Sequence, residues 1–293
     1  MHIKDAGICF IDDVIKCYPK YCFLDWFTPS LTTYTKEALI LYIEAILYTL
    51  LTNNCIPILL FLNGDADNLG ECSYFKKIEI FNFLITEICI KYNIPYIEVY
   101  KSLEIINKTT TDILRDEVHT TDLGSELYGK FILEWFNTNI KMLNISNIKI
   151  PDKNIYNKIK IIEFNEVVLQ NSSIKITGKA NIVGIFQEVG PFSCWVDVYV
   201  DNKFIRKQSL IDQHCYYTRQ CFNFSYSLED NLTLNVVEDF CDYSVCKRPK
   251  HYPSEDVWWV NYYKDNTKCL KVKKIYYIGD ILDVVHIQPA TTV

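Results

Sequence analysis

The chain has 293 residues, of which 49% are hydrophobic and 23% charged, and 36 acidic side chains against 30 basic ones leave a net charge of −6. That composition excludes a disordered or collagen-like chain and leaves room for two domains with a core each. The acidic balance argues against a nucleic-acid partner, because phosphate binding calls for a basic surface.

The opening residues, Met1-His2-Ile3-Lys4-Asp5, have no signal-peptide layout, which points to the cytoplasm. Ile8, Ile11 and Ile15, with Phe10 and Val14 beside them, predict a short helix over 8–16 that Pro19 ends. Tyr21-Cys22-Phe23-Leu24 reads as a buried strand, running out through Asp25, Trp26, Phe27 and Thr28 to Pro29 and Ser30. A helix is expected from about Thr35 to Thr52, apolar nearly all round and therefore buried. It holds the most apolar run, Ala38 to Leu51, but Glu44 interrupts that run, so no membrane span is expected.

Ile56 to Leu62 is a second buried strand, ended by the turn residues Asn63-Gly64-Asp65. Residues 73–92 give a helix and Ile94 to Val99 a third strand. Next comes the stretch Arg115-Asp116-Glu117-Val118-His119-Thr120-Thr121, followed by an amphipathic helix. Leu123, Leu127, Phe131, Trp135 and Ile140, widened by Ile132 and Phe136, form its apolar face, and Thr120 or Thr121 is placed to cap it.

Strands alternating with helices predict right-handed βαβ units on a parallel sheet. In such sheets ligands bind beyond the carboxyl ends of the strands. Asp25–Ser30, Asn63–Asn68 and the Asp116/His119 loop can all reach that edge. An imidazole beside a carboxylate is the base-and-orienter half of a nucleophilic triad, since the acid fixes the tautomer and stabilises the imidazolium.

The order of these elements, and above all Asp116-Glu117-Val118-His119-Thr120 ahead of a helix, resembles the SGNH/GDSL hydrolase family over roughly residues 8–140. The resemblance implies a three-layer α/β domain over about 1–145 that acts as an esterase or O-acyltransferase on carbohydrate esters in bacterial surface-glycan metabolism. It also implies that His119 is the general base and Asp116 its orienter, with carbohydrate or a small ester as substrate and no cofactor. The family's nucleophile stands in a Gly-Asp-Ser turn after its first strand. No such turn occurs here: Gly64-Asp65 is followed by Ala66 and comes after a later strand. The family's oxyanion asparagine would fall near Trp26 and Thr28, where Thr28 or backbone N–H groups are the available donors. The expectation is a domain lacking its first strand, with a serine nucleophile supplied upstream. The alternatives are an inactive glycan-binding or scaffolding protein that keeps the fold, and a transferase of a non-acyl group.

After about Asn144 the pattern changes. Asn, Lys and Asp accumulate through 144–159, and then short alternating runs appear at 160–169, 173–178, 182–188, 194–200, 203–210, 219–228 and 231–237. Two more, Leu270 to Tyr277 and Ile281 to Val285, lie in the tail. Regular short strands predict an antiparallel β-sandwich or jelly roll over 155–293. Within it, Asp212 to Arg219 offers two readings: His214, Arg219 and the tyrosines contact a sugar, or Asp212 and Arg219 form a structural pair. The twelve cysteines contain no C-x-x-C pair; Cys241, Cys246 and His251 lack a fourth ligand at standard spacing, so no metal is expected.

Overall fold

The computed structural model describes residues 3–25, 34–62, 73–102, 105, 107–108, 110–115, 119–212, 214–215, 217–237 and 266–288. The chain divides into two compact units, Met1–Asn157 and Lys158–Val293.

In the first unit a π-helical turn, Ile3–Ile8, runs into α1, Cys9–Ile15. The helix stops short of Pro19, and Tyr18 takes a left-handed conformation (φ 52°) that turns the chain into β1, Tyr21–Leu24. Then follow α2 (Lys36–Thr52), β2 (Ile56–Phe61), α3 (Ser73–Tyr92) and β3 (Tyr96–Glu98). Thr35 caps α2 by accepting the Ala38 N–H at 3.3 Å. All six residues of β2 are buried, as expected of a strand covered on both faces.

The three strands form a sheet in the order β1-β2-β3, and both pairs are parallel: Leu24 lies opposite Leu59, and Phe61 opposite Glu98. Parallel neighbours need a crossover between them, and α2 and α3 supply it. The third strand is shorter than its apolar run implies. Pro95 has no N–H to give the ladder and only accepts, from the Leu59 N–H at 3.1 Å. Beyond Glu98 the chain coils into a 3₁₀ turn, Val99–Lys101.

A short helix, α4 (Thr110–Ile113), precedes α5 (Asp122–Asn139). Leu127, Phe131, Ile132, Trp135 and Phe136 pack on a core with Ile56, Ile58, Ile97, Val99 and Tyr128. Leu123, assigned to that face by its spacing, is instead 40% exposed. The contact is made one residue later by Gly124, where an added Cβ would stand 2.2 Å from the Ile113 carbonyl oxygen. The helix therefore starts directly against backbone, and Leu123 is turned outward.

Among its described residues the second unit forms one eight-stranded antiparallel sheet, where a sandwich of two packed sheets was expected. Its strands are β4 (Lys160–Leu169), β5 (Ser173–Val189), β6 (Trp195–Val200), β7 (Lys203–Ser209), β8 (Arg219–Asn223), β9 (Tyr226–Leu228), β10 (Asn231–Val237) and β11 (Leu270–Ile287). The main path runs β4-β11-β5-β10-β6-β7, with β8 and β9 also paired to β5.

Three of the expected strand boundaries change. Residues 173–178 and 182–188 belong to one strand, and so do 270–277 and 281–285, whereas 219–228 divides into two. Glycine explains the two mergers: Gly178 (φ 150°) and Gly279 (φ 110°) take backbone angles that other residues rarely adopt. An added Cβ would lie 2.3 Å from the Asp280 oxygen at Gly178 and 2.6 Å from the Lys179 oxygen at Gly279. The two long strands thus stay paired past a shared kink, with the register shifting between Ile281 and Asp283 beside it. At that kink the neighbour of β5 on its other side changes from β10, whose first residue Asn231 lies opposite Thr177, to β9, whose last residue Leu228 lies opposite Ala180. A common core gathers Ile174 and Ile176 from before the kink with Ile182, Ile185 and Val189 from after it. Phe224, at φ 61°, separates β8 from β9.

Candidate active site

The carboxyl ends of β1, β2 and β3 share one edge of the parallel sheet. At that edge Asp25 directly follows β1 and Glu98 closes β3. Glu98 is held by Lys101, Nζ to Oε1 at 2.6 Å, and receives the Tyr100 hydroxyl at 3.3 Å. For Asp25 the effect that dominates is burial. The residue keeps an exposed flank, yet enough protein surrounds its carboxyl that burial raises the pKa from the ordinary range to about 6. Its neighbour is Tyr128 of α5, whose hydroxyl is pushed up to about 12, by burial first and by the charge of Asp25 second.

The residues ahead of His119 are anchored just past β3. Ile113 and Leu114 are packed with Val99 and Ile105, residues just past β3. Leu114 then bridges Thr120, the Arg115 N–H donates to the His119 carbonyl at 2.9 Å, and the Thr121 N–H donates to the Ile113 carbonyl at 2.8 Å. The Thr121 hydroxyl donates to the Asp112 carbonyl at 2.5 Å and accepts the Gly124 N–H at 3.0 Å, so Thr121 is the cap of α5. Thr120 instead pairs its hydroxyl with that of Ser125 at 2.6 Å. His119 is thereby fixed at its backbone, and the residue is exposed.

Asp116, Trp26, Thr28 and Asn63 lie outside the described residues, as do Cys241, Cys246, His251 and the pair Trp258-Trp259. Among the described residues no group of three His, Cys, Asp or Glu is arranged to hold a metal ion. The sequence reading missed Asp25 as an individual residue. The signal was an acid placed directly after an apolar strand, at the edge where the fold puts its sites.

In the second unit, the structural pair forms: Arg219 is ion-paired to Asp212. The same carboxylate accepts the His214 backbone N–H at 2.8 Å and faces the Cys215 thiol at 3.6 Å. Cys215 in turn lies 3.8 Å from the Ser193 hydroxyl, and burial pushes its pKa up. Asp212 therefore acts as the hub of a loop, with the Arg219 charge engaged inside it. The His214 residue is exposed.

No protein-family model matches this sequence, and no curated protein matches it. Among solved structures, a GDSL-like lipase from Bacteroides thetaiotaomicron is similar with a TM-score of 0.40 and 18% identity, over 47% of this chain and 72% of its own. At that score the likeness carries neither a fold assignment nor a residue role across. No described helix is long and apolar enough to cross a membrane.

Proposed function

We propose that the first unit is an SGNH-like catalytic domain for acyl transfer from an ester, to water or to a sugar hydroxyl. His119 is the general base that takes the nucleophile's proton, and Asp116 orients it. What supports this reading is the loop that pins the His119 backbone ahead of α5, together with Asp25, raised in pKa, at the carboxyl edge of the sheet. A carboxyl raised in pKa by its surroundings, at the edge where such sheets bind ligands, is a functional-site candidate.

Asp25 belongs to this reading as a carboxyl that is partly protonated near pH 6 and stands ready to hydrogen-bond an ester or a sugar hydroxyl. Trp26, Thr28 and Asn63, which follow β1 and β2 in the sequence, are assigned to substrate binding. His214 and Arg219 are assigned to carbohydrate contact on the second unit, with Arg219 acting through its engaged pair with Asp212. The nucleophile is a serine, although residues 1–293 contain no Gly-Asp-Ser turn.

A fluorophosphonate probe tests the reading. Labelling of one serine that is lost in His119→Ala supports it. No labelling of the native protein, together with retained binding to acetylated glycans, favours the second reading, a non-catalytic glycan-binding protein, for which the absent Gly-Asp-Ser turn speaks.

A further inference from the structure

The second unit holds a serine and a histidine in hydrogen-bonding contact. Ser172 sits in the turn between β4 and β5, after Asn171, which takes a left-handed conformation (φ 47°). Its carbonyl accepts the Val236 N–H at 3.0 Å, so the end of β10 fixes its backbone. On the other side of β5 runs β11, where His286 lies opposite Ile174. Side chains two residues apart share a face, so Ser172 and His286 meet on a diagonal, and the Ser172 Oγ lies 3.0 Å from His286 Nε2. A third residue sets the tautomer. The Gln288 amide nitrogen stands 3.4 Å from the same Nε2, and an amide NH₂ only donates. His286 Nε2 therefore carries the lone pair, and the Ser172 hydroxyl donates to it. In that arrangement an imidazole activates a weak nucleophile. Ser172 is 6% exposed and His286 is open to solvent, so a reagent approaches from the side of the ring and must be small.

We propose that Ser172 and His286 are a nucleophile–base pair that takes a small acyl group from an activated ester. The Ser172 Oγ attacks the carbonyl carbon while its proton passes to His286 Nε2. The Oγ–C bond forms, the bond from that carbon to the leaving oxygen breaks, and the imidazolium returns the proton to the leaving alkoxide. The products are O-acyl-Ser172 and an alcohol. The pair is separate from the site assigned to His119, because both of its members lie in the second unit and neither His119 nor Asp116 takes part.

The probe is a fluorophosphonate with a small alkyl group, which an activated serine attacks at phosphorus, releasing fluoride and leaving a stable ester. The native protein is treated and the labelled peptides are mapped by mass. The expected result is a label on Ser172 and none on Ser173, which carries the same hydroxyl and projects to the opposite face as the first residue of β5. Unfolding in urea removes that preference. His286→Ala slows labelling of Ser172 by about 10²–10⁴-fold, the range for loss of a general base. The native map needs no variant to fold, and the mapped position keeps the outcome apart from the first unit, since a label on any other serine bears on His119 and not on this pair. The proposal is overturned if native Ser172 stays unlabelled, if Ser172 and Ser173 react alike, or if the Ser172 rate is unchanged in His286→Ala.

Discussion

Two aspartates, one in each unit, stand at the end of a strand and are pushed in opposite directions. Asp201 turns the chain between β6 and β7, with φ 49°, and its carboxylate accepts the N–H groups of Asp230 at 2.8 Å, Asn231 at 3.0 Å and Glu229 at 3.2 Å. Those donors hold its pKa below the ordinary value. Asp25 follows β1 with its carboxyl partly enclosed, and its pKa is raised to about 6 by burial. A carboxylate saturated by backbone donors is a clamp for a turn. A carboxyl whose charged form is penalised is held there at a cost, which the surrounding fold offsets and a site can use. The same residue type therefore marks scaffold in the second unit and a candidate site in the first.

The largest expected effects test whether each unit is built as described. Leu47→Ala opens a hole where α2 is fully buried and should cost about 3–4 kcal/mol. Hydrogen-exchange mass spectrometry should show the loss of protection in α2 and β2. Gly178→Ala forces a Cβ against the Asp280 carbonyl and should cost about 2–3 kcal/mol, with the loss read in β5 and β11. If β5 were two strands joined by a loop, as its alternation first implies, that substitution would be nearly silent. Thr121→Ala removes the cap of α5 and should cost about 1 kcal/mol, with Thr121→Ser restoring most of it in chemical denaturation.

The smallest effects separate the two aspartates. Asp25 has a folded pKa above the unfolded value of about 3.9. Its contribution is therefore full below about pH 4 and is lost as the pH rises through 6. Asp25→Asn should raise stability at pH 7, by about 1 kcal/mol or less because of its exposed flank, with no gain at pH 4. Asp201, with a lowered folded pKa, contributes above the unfolded value and loses that contribution as the pH falls through the folded one. Asp201→Ala should therefore flatten the acid limb of the stability curve that Asp25→Asn leaves in place. Denaturation midpoints measured from pH 3 to 8 check both signs.

How much of this was legible depended on what kind of pattern carried it. In the first unit the apolar runs were decisive: β1, α2 and α3 lie where the residues predicted them, although apolar residues of β1 and α3, Phe23, Ile80, Phe83 and Ile90, are exposed and not buried as such runs imply. The loop and cap around His119 were readable from Thr121 and the helical spacing beyond it. In the second unit alternation located the strands but not their continuity, since a glycine inside a run marks a break or a kink equally well. Only the close approach at Gly178 and Gly279 distinguishes the two. The enclosure of Asp25 was not legible, because Tyr128 comes from a helix about a hundred residues further along the chain. The Asp212–Arg219 pair was foreseen as one of two readings, and its geometry follows from a carboxylate that also caps its own loop.

The central claim, that the first unit performs acyl transfer with His119 as base, is tested most directly by ester turnover in His119→Ala beside Lys203→Ala, with p-nitrophenyl acetate as substrate. Loss of a general base predicts a fall of about 10²–10⁴-fold in kcat for His119→Ala, while Lys203→Ala, at an exposed position of β7 in the other unit, stays within a few-fold of the unsubstituted protein. Full turnover in His119→Ala would contradict the account.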